Sequence, residues 1–153
     1  MSSRFRRILA GLVLVGALVT SLPIEADAAP RAISEDQERV RELVNDTRRS
    51  SGRSQLAMNQ QFADRATLWA RELARCQCLK HRQGPYGAPP GWYAAAENVG
   101  RGWSLAQVHQ AFLGSTGHRE NILTRRFTHI GTGVATSARG EIFVVQAFMD
   151  RTP

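Results

Sequence analysis

Residues 141–148, Glu-Ile-Phe-Val-Val-Gln-Ala-Phe, limit the possible folds more than any other stretch of this chain. β-Branched and aromatic residues in succession predict a strand, whose side chains alternate between two faces. Ile142, Val144 and Phe148 share one face; Phe143, Val145 and Ala147 share the other. A strand that is apolar on both faces is central and must be covered on both sides. The other apolar residues of the chain recur mainly at helical spacing, so helices are the available covers. The expected class is α+β, with an antiparallel sheet held between two helical layers.

Other segments supply the parts. Residues 127–134 predict a partner strand, turned into the first by Ser137-Ala138-Arg139-Gly140. Gly131 and Gly133 in that strand mark where another backbone or a ligand comes close. Ser34 and Gln37 make a capping-box signal, and Glu35 and Asp36 suit the positive end of a helix. Val40, Leu43 and Val44 continue that helix to about Arg49. A second helix is expected over 59–75, with Phe62, Ala66, Trp69, Ala70 and Leu73 as its core stripe. Ser104 can cap a third helix over 105–113, followed by a short helical turn over 119–123. Residues 83–93 hold three prolines and three glycines, which predicts an irregular surface loop. Its Trp92 and Tyr93 are candidate lips of a cleft, with a core role equally open to Trp92.

The first 28 residues stand apart. Arg4, Arg6 and Arg7 precede an apolar run over 8–22, Pro23 breaks it, and Ala26-Asp27-Ala28 offers a small-x-small cleavage pattern. A spanning helix needs about 20 apolar residues, so this segment is expected to be a removable signal rather than an anchor. Cleavage would leave Ala29 first, with 29–37 as a lead-in and 38–150 as one domain. No cysteine lies near the cut to carry a lipid, and no stable membrane insertion is expected.

The whole chain carries a formal charge of +7, and the first 28 residues contribute three arginines against Glu25 and Asp27, or +1, leaving about +6 for the exported domain. That excess either serves solubility or draws the protein to anionic wall polymers or lipid headgroups. No basic run interleaves with aromatics, so nucleic acid is not an expected partner. The only cysteines, Cys76 and Cys78, are too close together to staple a framework and lack the repeated spacing of a zinc ribbon.

Four histidines are present, His81, His109, His118 and His129. His109 is expected as a partly exposed flank of the third helix. His129 is expected to point away from the face that Ile130 and Val134 share. Three segments carry candidate chemistry: Leu79-Lys80-His81, Ala96-Glu97-Asn98-Val99, and Ser115 through Leu123 with His118-Arg119-Glu120-Asn121 inside it. They follow Asn45 and Arg49 in the first helix and precede Ile130-Gly131-Thr132-Gly133 and the Val144-Val145-Gln146-Ala147-Phe148 strand. In that order the set resembles the CAP superfamily of cysteine-rich secretory, antigen-five and pathogenesis-related proteins, in its bacterial SCP-like extracellular branch. The resemblance runs from about Glu38 to Phe148 and implies an α-β-α sandwich.

The resemblance also implies a cleft lined by two histidines and two glutamates, in which the histidines of some members hold a divalent metal such as zinc. His81 and His118 match the histidines and Glu97 matches one glutamate. The other has no counterpart, since residues 82–86 contain no acid and Glu120 lies elsewhere in the pattern. Phe112 stands where the family places an aromatic ahead of the histidine motif. Three roles are open to this set. Glu97 and the histidines can brace the cleft; His81 and His118 can hold a metal; or Glu97 can act on a metal-bound water as the candidate catalytic residue of an extracellular hydrolase. With one acid missing and no nucleophile–base pair, the expected function is a secreted binding module rather than an enzyme. Its ligand class is a lipid, a wall polymer or another protein.

Overall fold

A computed structural model describes residues 33–83 and 91–150; the expected signal segment, the first four residues of the lead-in and most of the proline-glycine loop lie outside the described residues. Among the described residues four helices and four strands follow one another as α1 (Glu35–Ser50), β1 (Ala57–Met58), α2 (Gln60–Cys76), β2 (Tyr93–Gly102), α3 (Leu105–Gly114), α4 (Thr116–Leu123), β3 (His129–Thr136) and β4 (Ile142–Asp150). The sheet order is β1-β3-β4-β2. The three long strands pair antiparallel, as expected, and the two-residue β1 adds a parallel pairing of Ala57 with His129 and Met58 with Ile130, so the sheet is mixed.

β4 is the central strand, and its two parities part the core. Val144 and Phe148 join Val40, Val44, Phe112 and Ile122 on the α1–α3–α4 side. Phe143 and Val145 join Ala66, Ala70 and Leu73 on the α2 side. The capping box at α1 is complete: the Ser34 hydroxyl accepts from the Gln37 N–H at 3.2 Å and Ser34 N–H donates to Gln37 Oε1 at 2.8 Å. Asn59 and Ser104 cap α2 and α3 in the same way through Phe62 N–H and Gln107 N–H.

Gly131 and Gly133 are where α2 lies directly on β3. A Cβ at Gly131 would fall 2.4 Å from the Phe62 carbonyl carbon, and one at Gly133 would fall 2.1 Å from that of Ala66. The close neighbour is therefore a backbone, and the two glycines set the height of α2 above the sheet. Gln37 clamps α1 to the same strand, its buried amide donating to Thr132 O at 2.8 Å while Thr132 Oγ1 donates back to Gln37 O at 2.8 Å.

The polar residues of α1 play unequal parts. Asn45 is buried and pairs both backbone groups of Leu56, accepting from its N–H at 2.8 Å and donating to its carbonyl at 3.1 Å. Arg49, however, is exposed and pairs with Asp46. Its neighbour Arg48 is the buried one, fully enclosed. Arg48 Nε donates to Ser54 O at 2.7 Å, and Nη1 donates to Ile122 O at 2.7 Å and Thr124 O at 2.9 Å. Nη2 reaches Phe127 O at 3.5 Å. No carboxylate faces this guanidinium among those contacts. Four carbonyls solvate it instead, and burial holds its proton affinity below the ordinary arginine value. These bonds tie α4 and the turn after it to α1.

Candidate functional site

The site forms around β2, an edge strand whose alternation sends neighbouring side chains to opposite sides of the sheet. Val99 faces the α2 layer, and Glu97 shares its parity. Asn98, Gly100 and Gly102 face the other layer, where Phe112 and Val108 of α3 lie against the two glycines. Helix α2 ends at Cys76, and the chain then runs back along the α2 side of β2. Arg101 Nη1 donates to Gln77 O at 3.4 Å near one end of this run. At the other end, Glu97 Oε1 accepts from His81 Nδ1 at 2.8 Å and from Arg82 N–H at 3.1 Å.

The two partners differ sharply in exposure: the His81 side chain is 63% accessible and that of Glu97 10%. A carboxylate is an acceptor only, so His81 donates from Nδ1 and, when neutral, presents the Nε2 lone pair outward. Glu97 is thus enclosed and committed to holding its neighbours, while His81 is the exposed edge of the pair.

His118 belongs to α4, on the opposite side of β2. Its ring meets Phe112 edge-on with centroids 5.1 Å apart. Burial first, and then the charge of His81, hold its imidazole below the ordinary histidine range. Helix α4 has no side-chain bond at its N-cap and buries only Ile122, so its position comes from elsewhere. Arg48 supplies part of it. The rest is a buried amide relay: Asn98 Nδ2 donates to His118 O at 3.1 Å and to Gln146 Oε1 at 3.0 Å, and Asn121 Nδ2 donates to Asn98 Oδ1 at 2.9 Å. Asn121 braces the turn after His118, and Arg119 is exposed.

The other two histidines play different parts. His109 is buried rather than a partly exposed flank. The reason is that α1 packs across α3, and Thr47 Oγ1 lies 2.8 Å from His109 Nε2. Because Thr47 donates its own hydroxyl proton to Leu43 O, it accepts from Nε2–H, leaving His109 Nδ1 buried with no partner. Burial holds this imidazole below the ordinary range, with Asp46 opposing weakly. His129 points away from the Ile130 face as expected, and Trp92 meets it edge-on at 4.6 Å. Trp92 is half-buried and packs against the Phe62, Ala147 and Met149 cluster. The Tyr93 side chain lies outside the described residues.

The described residues offer no three-ligand metal set. Among the described residues no three His, Cys, Asp or Glu side chains are grouped to hold an ion. A catalytic zinc takes three protein ligands with an open position. His81 and His118 lie on opposite sides of β2, and Glu97 already accepts from two donors. These residues do not make the ligand set of a tightly held zinc. Nor does any described helix have the length and apolarity to cross a membrane.

Residues 41–148 match the model of the Cysteine-rich secretory protein family (CAP). The chain belongs to this family. It is 30% identical over 128 residues to the uncharacterized protein YkwD of Bacillus subtilis, an alignment that takes in 78% of this chain and 49% of YkwD. It therefore spans about half the length of that relative. Among solved structures it resembles an outer surface protein from Borrelia burgdorferi, with a TM-score of 0.67 and 18% identity, over 80% of this chain and 97% of the other. It also resembles an extracellular SCP-domain protein from Bacillus anthracis, with a TM-score of 0.61 and 23% identity, over 75% of this chain and 40% of the other. At these identities the structural likeness shows the shared fold.

Proposed function

We propose that this chain is an extracellular binding module in which Glu97 is a brace and His81 and His118 touch the ligand. The observation that carries this reading is the commitment of Glu97. An enclosed carboxylate whose Oε1 accepts from both an imidazole and a backbone N–H has its place fixed, which suits positioning. A general base needs open approach to the proton it removes. Family relatives described as extracellular or on the outer surface support a working place outside the cell, as does the expected signal segment.

The ligand class follows from charge. His81 sits in the sequence Lys80-His81-Arg82, within a domain whose sequence carries a clear excess of arginine. Anionic phosphate groups, whether of a wall polymer or of lipid headgroups, are the chemistry such a surface attracts.

Titration calorimetry with a polyglycerol-phosphate polymer, and separately with phosphatidylglycerol vesicles, distinguishes the two sources. The expected result is binding to at least one, weakened about fivefold or more, on the order of 1 kcal/mol, in the His81→Ala/His118→Ala double variant. Equal affinity in the double variant overturns the reading. Steady release of cleaved polymer that stops in Glu97→Gln replaces it with the hydrolase alternative.

A further inference from the structure

Helix α2 closes with a disulfide that spans a single residue, Cys76 to Cys78. Gln77 between them has φ +54° and is the one non-glycine residue with positive φ among those described. Helix ends adopt that conformation readily at glycine, because a Cβ is disfavoured there. A glutamine stays in it under a constraint, and the ring through the two sulfurs is such a constraint. Further bonds follow from this turn: Gln77 N–H and Cys78 N–H both reach Leu73 O, the latter at 3.3 Å, and Gln77 Nε2 donates to Ala74 O at 2.6 Å. Gln77 Oε1 is left buried without a partner. The next residues run along β2 until His81 and Arg82 meet Glu97. The direction in which His81 is delivered is thus set at the disulfide.

We propose that Cys76–Cys78 is a thiol–disulfide exchange site whose redox state controls the seating of His81 on Glu97. Cys76 is exposed, whereas Cys78 is half-buried against the cluster of Leu73 and Val99. An incoming thiolate therefore reaches Cys76 Sγ. Its attack forms a mixed disulfide on Cys76 and expels Cys78 as a thiolate, which takes the electron pair of the broken S–S bond and then a proton from solvent. A second thiolate attacks the external sulfur of the mixed disulfide and releases Cys76 in the same way. Two reductant thiols end as one disulfide, and the protein gains two thiols. The reductant is a small thiol or an exported dithiol protein. A ring over so short a loop resists opening less than one closing a long loop, and an exposed disulfide is accessible to exchange.

Opening the ring frees Gln77 from its left-handed conformation and loosens 77–82, while β3 and β4 hold their places. The placement of this site does not rest on the identity of any ligand. To test it, the exported chain is equilibrated in buffers of graded reduced and oxidised glutathione, quenched by alkylation and weighed, and the same samples are followed by amide hydrogen exchange. The ring is expected to open in millimolar reduced glutathione. The Arg82 amide should then exchange about tenfold faster or more, with β3 and β4 unchanged. Cys76→Ser/Cys78→Ser should reproduce the reduced state; if that variant does not fold, the reduced wild type carries the test. A ring that stays closed at about a hundredfold excess of reduced over oxidised glutathione overturns the proposal. So does one that opens with Arg82 exchange unaltered.

Discussion

Replacing Arg48 with methionine keeps most of the side-chain length and removes the guanidinium from a fully buried place. Three carbonyls, Ser54 O, Ile122 O and Thr124 O, lose donors at 2.7 to 2.9 Å, and Phe127 O loses a longer contact at 3.5 Å. Hydrogen bonds to a charged partner are worth about 1.5–3 kcal/mol each. Against that sum stands the desolvation of the cation, which burial and the lowered proton affinity both register. Each carbonyl left buried and unpaired costs about 1–3 kcal/mol, so after the offset the net loss is expected at about 3 kcal/mol or more, which for a domain of this size lowers Tm on the order of 10 °C. Arg48→Lys keeps the charge but loses the forked geometry and should fall between the two. Denaturant unfolding followed by fluorescence reads the loss, and amide exchange at 118–122 locates it in α4. A loss under about 1 kcal/mol for Arg48→Met would refute the view that this guanidinium, rather than apolar packing, anchors the helix carrying His118.

Three further outcomes follow from the packing and the sequence. Gly133→Ala drives a methyl into the Ala66 backbone and should cost at least about 3 kcal/mol, at or beyond the top of the usual overpacking range; Gly117→Ala, with nothing within 4 Å, should be neutral or stabilising by up to about 1 kcal/mol. Paired thermal melts of these two check it. Burial lowers the proton affinity of His109 in the folded state, so as pH falls through about 6.5 the unfolded chain takes up this proton before the folded chain does. Stability present above that pH should therefore fall as pH drops, by at most about 1.4 kcal/mol per unit, and the lowered His118 adds in the same direction; urea titrations of wild type and His109→Leu from pH 7.5 to 5.5 read the difference, and parallel slopes would contradict it. Mass measurement of the exported protein should give a chain beginning at Ala29.

The fold was largely legible because its decisive signals are local. The two-faced β4, the capping residues Ser34 and Ser104, and the glycines of β3 each act through their own backbone or nearest neighbours. β1 was not legible, since a two-residue parallel edge pairing leaves no periodicity to detect. β2 escaped notice because its inward residues are small, glycine or polar: Gly100 and Gly102 admit Phe112 and Val108, and Asn98 feeds the amide relay. The arrangement of the candidate site was not legible. Residue types and order select His81, Glu97 and His118, yet only the parity of β2 shows that His118 approaches from the other side of the strand. Arg48 was missed in favour of Arg49 because a buried arginine solvated by carbonyls has no acidic partner in sequence to announce it. His109 was misplaced because its burial depends on α1 crossing α3, a tertiary contact.

The central claim is that His81 and His118 are ligand contacts braced by a Glu97 that does no chemistry. It is tested most directly by following the ring nitrogens of both histidines by NMR during titration with polyglycerol-phosphate polymer or phosphatidylglycerol, in wild type and in Glu97→Gln. The account predicts that both imidazoles shift along one saturating curve, and that Glu97→Gln, which can keep an acceptor for the Arg82 N–H, binds within about threefold of wild type, less than about 1 kcal/mol. Unmoved histidine signals at saturation, or complete loss of binding in Glu97→Gln with its fold intact, would contradict it.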